Sequence, residues 1–233
     1  MTALGLLSTD QRGEDDYPRI EQLLGSDVRV DLVRLAPGAA ITGAAEEVRL
    51  SGADAVVRTG EGFTHDAEAE ADRVEELARQ TGMPASSTAL AFVNAARDLG
   101  VTRVAVAAPV GTHEDTARLR GFLRAGGLEV TGTHTAEPEA ASGAGAGGGG
   151  AGSDEDALLA LVTAADTQDA EAVLLTDPAL ETAAQLPALE KAVGKPVLTA
   201  SQVTVWEGLR LAERRVHAPD LGALFTRTPS WER

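Results

Sequence analysis

The chain contains no cysteine. That absence excludes disulfides, thiolate nucleophiles and cysteine-ligated zinc together. Aromatic residues are nearly as scarce, with four Phe, two Trp and one Tyr among 233 positions. The core must therefore be assembled from Ala, Val and Leu, side chains that suit helices layered on a sheet. Basic residues are in deficit too: 20 Lys and Arg stand against 36 Asp and Glu, a formal charge of −16. Phosphate backbones and anionic membrane surfaces both demand a basic face, so neither nucleic acid nor membrane is an expected partner. The acidity reads as a solubilising field. An anionic ligand would need a local pocket of backbone N–H groups and hydroxyls working against it. No apolar run approaches the ~18 residues of a membrane span, and the segment after Met1 reads as a strand and not a signal peptide. A cytoplasmic protein is the expectation.

What is present is an alternation of short apolar runs with helical patterns, the mark of parallel βαβ units. Strands are expected at 3–8, 28–35, 53–58, 101–108, 128–133 and 172–176. Helices are expected at 17–24, 66–80, 114–125, 154–165 and 179–193. The pattern repeats at residue level: Ala53-Asp54-Ala55-Val56-Val57-Arg58-Thr59-Gly60 pairs with Ala170-Glu171-Ala172-Val173-Leu174-Leu175-Thr176-Asp177. A Gly-x-Pro turn follows each, Gly82-Met83-Pro84 and Gly194-Lys195-Pro196, and each leads through a Ser/Thr stretch into a helix. The reading is an α/β fold of two similar lobes, parallel sheets flanked by helices, related by a pseudo-twofold axis. Residues 1–98 form the first lobe and 99–203 the second, with a C-terminal helix at 204–233 returning to the first. Ligands of open parallel sheets sit beyond the carboxyl ends of strands, so the loops at 59–63 and 176–179 should face one another across a cleft. The glycine-rich tract 142–153 reads as a flexible insertion, near the cleft or merely on the surface.

Several familiar chemistries find no support. Gly60-Glu61-Gly62 lacks the Lys and Ser/Thr of a phosphate loop, and no G-x-G-x-x-G opens a helix. His65, His113, His134 and His217 lack metal-ligand spacing, and no Gly-x-Ser-x-Gly elbow occurs. No cofactor is expected. The partner expected is a small molecule, a carboxylic acid among the candidates, and a homo-oligomer stays open.

The segment from Gly194 to Ala212, GKPVLTASQVTVWEGLRLA, resembles the C-terminal motif of maleate cis–trans isomerases and their arylmalonate decarboxylase relatives in the aspartate/glutamate racemase superfamily. Leu180, Thr182, Leu189 and Glu190 are similar to that family's pattern upstream of it. Leu99–Pro109 resembles its middle strand, and Gly5–Asp10 with Glu14 and Asp16 its first strand and ligand-binding turn. The resemblance implies a cysteine after one strand of each lobe, serving as nucleophile or as opposing bases. Here those positions are Gly60 and Asp177. Pro178 stands where the family usually has Thr, and Val110, after Pro109, stands where it has Tyr. Thiolate addition is therefore impossible, and a carboxylate is a far poorer carbon nucleophile.

Two functions stay open. In one, the chain is an enzyme in which Asp177 and Glu61 act as general bases in proton transfer, isomerisation or decarboxylation. In the other, it is a non-catalytic relative that binds a small acid or a partner. Candidate ligand contacts are Thr9 and Gln11 in the first turn, with Thr59, Gly60, Pro109, Val110, Thr176 and Pro178 at the strand ends. Each has a plainer reading. Asp177-Pro178 could start a turn or cap a helix, Glu61 could be a solvated turn residue, Ser201 and Thr204 a helix-cap pair, and Trp206 an apolar anchor between lobes.

Overall fold

A computed structural model of the chain describes residues 1–8, 16–25, 27–35, 41–60, 63–108, 112–135 and 151–226. The strands are β1 (Thr2–Ser8), β2 (Val28–Arg34), β3 (Ala55–Thr59), β4 (Ala85–Ser87), β5 (Arg103–Ala108), β6 (Glu129–Thr135), β7 (Ala172–Leu175) and β8 (Val197–Thr199). The helices are α1 (Asp16–Leu24), α2 (Ile41–Ser51), α3 (Ala67–Thr81), α4 (Thr88–Leu99), α5 (His113–Ala125), α6 (Ala151–Ala165), α7 (Leu186–Val193) and α8 (Ala200–Leu211).

Two four-stranded parallel sheets have the same order, β2-β1-β3-β4 and β6-β5-β7-β8. The duplication extends to the hydrogen bonds. Leu4 lies beside Ala55, as Val104 lies beside Ala172. Val56 N–H donates to the Pro84 carbonyl at 3.0 Å, and Val173 N–H to the Pro196 carbonyl at 3.0 Å. Asp54 accepts the Ala3 N–H at 2.9 Å, while Glu171 accepts the Thr102 and Arg103 N–H groups at 2.8 and 3.0 Å. Those bonds hold the Glu171 carboxyl below its ordinary value, the Thr102 amide first.

Strand periodicity explains why both sheets are buried on two sides. In the first sheet Leu4, Leu6, Ala55 and Val57 face the central core. Leu7, Val33 and Val56 face the outer core with Ala44 and Val48 of α2 and Leu77 of α3. In the second, Val104, Val106, Ala172, Leu174 and Leu198 face the same central core. Ala105, Ala107, Val173, Leu175 and Val197 pack outward with α6 and α7 residues. Between the sheets α4 and α8 pack together, and α8 also meets β1, β3 and β4. A Cβ on Gly208 would stand 3.1 Å from the Leu4 side chain, tight enough that Leu4 would have to shift by a few tenths of an ångström, so glycine eases the close approach of α8. The aromatic shortage is offset by concentration: Phe63 meets Phe92 of α4 and Phe122 of α5 at 5.9 and 5.2 Å between centroids. Trp206 is buried in the same core.

Three boundaries depart from expectation. The segment expected as a helix from 179 is a run of turns, and α7 begins only at Leu186, with Pro187 in its first turn. The helix expected at 204–233 is α8 at Ala200–Leu211, followed by two short 3-10 turns at Pro219–Leu221 and Ala223–Phe225. The end of the glycine-rich tract, 151–153, is backbone of α6, while 142–150 lie outside the described residues. No described helix is long and apolar enough to cross a membrane.

Candidate functional site

The carboxyl ends of β3 and β7 occupy matching places in the two sheets, with Thr59 ending one strand and Thr176 following the other. Both threonines are buried. Thr59 Oγ1 bonds the Tyr17 hydroxyl at 3.1 Å, and Thr176 N–H donates to the Ala107 carbonyl at 3.4 Å. Gly60 turns the chain after β3 with φ 98°, a left-handed conformation costly for other residues. Asp177 and Pro178 are half-buried. Asp177 Oδ1 accepts the Ala179 N–H at 2.8 Å, so its side chain closes a local turn, and no helix starts there for it to cap. Thr9, Gln11, Glu61, Pro109 and Val110 lie outside the described residues.

The first strand end is fixed from behind. Arg58, immediately before Thr59, forms a buried ion pair with Glu70 of α3, its Nη2 lying 2.9 and 2.8 Å from the two carboxylate oxygens. The Thr88 hydroxyl lies 3.4 Å from the Arg58 carbonyl and 2.6 Å from the Thr204 hydroxyl of α8.

The second strand end is held by a residue from the first half. Asp16 opens α1 and is 2% exposed. Its Oδ1 accepts the Ala183 N–H at 2.9 Å. Its Oδ2 accepts the Thr182 N–H at 3.0 Å, the Thr182 hydroxyl at 3.1 Å and the Ser201 hydroxyl. The Thr182 hydroxyl also lies 2.9 Å from that of Thr199. Ser201 and Thr204 are consequently not a cap pair: α8 is capped from Thr199, whose N–H donates to Gln202 Oε1 at 3.2 Å, and Thr204 donates to the Ala200 carbonyl at 2.7 Å. Consecutive residues Asp16 and Tyr17 thus touch the segment after β7 and the end of β3, bringing both within reach of one helical turn.

Sequence reasoning quoted Asp16 and Thr182 as part of a pattern but gave them no role, and it missed Tyr17 altogether. A lone Tyr followed by Pro at a helix start carries no signal of its partner forty residues on; an Asp at the same place looks like an ordinary helix-start acid. No cluster of metal-binding side chains occurs among the described residues.

Duplicated parallel sheets with polar strand ends gathered at one helix start define a two-lobe α/β protein. A family model described as arylmalonate decarboxylase matches residues 39–225, and the chain belongs to that family. A maleate isomerase of Geobacillus stearothermophilus is 29% identical over 178 residues, covering 74% of this chain and 66% of the relative. An arylmalonate decarboxylase of Bordetella bronchiseptica is 30% identical over 146 residues, covering 62% of this chain and 59% of the relative. The matched region is therefore less than two thirds of either curated relative. In fold, the chain is similar to a maleate isomerase variant from Pseudomonas putida solved with maleate, at a TM-score of 0.82 and 19% identity over 98% of both chains.

Proposed function

We propose that the protein is a cofactor-independent enzyme that moves a proton at the carbon beside the carboxyl group of a small acid, between the two strand ends, with Asp177 in place of a thiol. The observation that carries this reading is the first turn of α1, which contacts Thr59 at one strand end and Thr182, Ala183 and Ser201 beyond the other. Membership of a family whose relatives bear isomerase and decarboxylase names supports it. In the proposed step the Asp177 carboxylate takes the proton from the carbon, the C–H electron pair passes into the substrate carboxyl as an enediolate, and the acid formed on Asp177 returns a proton. Returned to the same carbon it gives exchange, and returned at a different carbon of an unsaturated acid it gives isomerisation; racemisation needs a second acid to deliver a proton to the other face, with Asp177 keeping the one it took. Glu61 is the candidate second base. A chain of net charge −16 with a carboxylate in its site favours a single carboxyl group over a dianion such as maleate.

One observation favours a binding protein instead: Asp177 Oδ1 is already engaged by the Ala179 N–H. Deuterium exchange separates the readings. Purified protein is incubated in D2O with 2-phenylpropionate, phenylmalonate, maleate and a set of amino acids, and carbon-bound deuterium and product are followed by NMR beside thermal shift. Exchange or CO2 loss with at least one acid is expected. A melting shift without turnover selects the binding protein, and neither effect with any probe overturns both. Maleate should not become fumarate, because no thiolate is present to form the adduct.

A further inference from the structure

The Asp16 network is expensive for a fold to maintain. Removing a carboxylate from water costs several kcal/mol unless strong partners replace the water. All four donors to Asp16 are uncharged, and they lie in the second half, 166 to 185 residues away along the chain. The duplicated fold supplies an internal control. Of the two acids in the first turn of α5, Asp115 spends its carboxylate on its own helix start, accepting the Thr112 N–H at 3.0 Å and the Thr112 hydroxyl at 2.6 Å, and Glu114 pairs with Arg118 of the same helix. The residue matching Ser201, two beyond the cap Ser87 of α4, is Ala89 and has no hydroxyl. Among the described residues, neither acid in the first turn of α5 makes a bridge like that of Asp16. The bridge stands where the chain runs irregularly from Thr176 to Gln185, and in that run the amides of Thr182 and Ala183 find their acceptor in Asp16.

We propose that Asp16 is the positioning residue of the site, its carboxylate fixing the Asp177–Ala183 segment against the first half and thereby setting the aim of Asp177. The proposal rests on the reading of Asp177 as the reacting group. Its geometry is favourable beyond the hydrogen bonds themselves. Ser201 lies in the first turn of α8, so the carboxylate sits at the positive end of that helix dipole. Clamped at Thr182 and Ala183, the segment also keeps two further bonds, Ala179 N–H to Asp177 Oδ1 and Gln185 N–H to the Thr182 carbonyl at 3.0 Å. Asp177 is five positions from the clamp, with the turn it closes between them.

The test is Asp16→Asn in the full chain, read by site-resolved amide hydrogen exchange and by the 13C resonance of the Asp177 carboxyl group. An Asn has one acceptor oxygen, so its NH2 must face an N–H or a hydroxyl of the clamp. Exchange at Thr182 and Ala183 should accelerate on the order of ten- to a hundredfold, the effect of losing a hydrogen bond to a charged acceptor, while Leu6, Val57 and Val106 stay within about twofold. The Asp177 resonance should move. Ser201→Ala leaves both backbone bonds in place, and it should give a smaller acceleration at the same two amides; it serves as the deciding variant if Asp16→Asn does not fold. Unchanged exchange at Thr182 and Ala183, uniform acceleration in every strand, or an unmoved Asp177 resonance overturns the proposal. Neither readout needs a ligand, so a failure here is distinct from a failure of the deuterium-exchange assay, which bears on the chemistry alone.

Discussion

Asp177 keeps its turn through a single acceptor oxygen, and an amide can supply that oxygen equally well. Asp177→Asn should therefore leave the melting temperature within about 2 °C of the parent, at most about 1 kcal/mol for a chain of this size. It should abolish proton exchange, because the amide cannot act as a base; residual turnover above a tenth of the parent value would assign the base elsewhere. Glu190 offers a pH-dependent counterpart. Burial holds its carboxyl above the ordinary value of 4.5, against the opposing pull of the Ala223 and Val197 N–H groups at 3.0 and 3.2 Å. A raised folded value means that this group's stabilisation is complete below about pH 4.5 and is lost as pH rises through the folded value. Melting curves of Glu190→Gln and the parent from pH 4 to 8 should show the variant gaining on the parent as pH rises. A constant difference would refute the shift. Both residues were visible in the sequence as pattern elements. Their partners, Ala179 and Ala223, were not, since any backbone N–H could have served.

Elements with a strong period were legible, and those set by tertiary contact were not. Strands β1, β3, β5 and β7 alternate small apolar side chains between two cores, and their sequences announced it. The residues 179–185 carry good helix formers after an Asp-Pro start, so local propensity points to a helix. Asp16 takes the amides of Thr182 and Ala183 instead, and the helix waits until Leu186. Strands β4 and β8, three residues each, passed as polar stretches, and α2 went unread because its Thr-Gly-Ala start and mixed polarity give little periodicity. The α4–α8 contact conceals a further polar device. Glu207, fully buried, accepts from Ser86 and Asn94 at 2.8 Å each and pairs with Arg210 at 2.7 and 2.8 Å. The bond to Glu207 is the main reason the Arg210 guanidinium is held above its ordinary value. Glu207→Ala strands these donors beside a cavity and should destabilise by about 3–5 kcal/mol, a fall of roughly 6–15 °C in melting temperature by calorimetry. A fall under about 2 °C would mean that water replaces the carboxylate at no cost.

At the scale of the molecule, the acidic excess acts against compactness even though it aids solubility. Raising NaCl from about 0.01 to 0.15 M shortens the Debye length from about 30 to 8 Å, and the melting temperature should rise over that range. A fall would show that attractive surface pairs such as Arg49–Glu46 and Arg103–Glu171 outweigh the net repulsion. The duplication itself was plain in the sequence, because the strand motif and the Gly-x-Pro turn recur in the same order and pair in the same register. What the repeat did not disclose is that Asp16 bridges the halves while the acids of α5 bond within their own helix start. The position of α8 has a consequence for the protein's birth. Its Val203, Val205, Trp206 and Leu209 complete the core against the inner face of the first sheet, although they lie more than a hundred residues beyond that sheet's last strand. A ribosome adding ~5–20 residues per second reaches α8 roughly six to twenty seconds after finishing α4. Throughout that interval the nascent first half carries Leu4, Leu6, Ala55 and Val57 without their closing helix, an apolar face open to non-native contacts until α8 emerges.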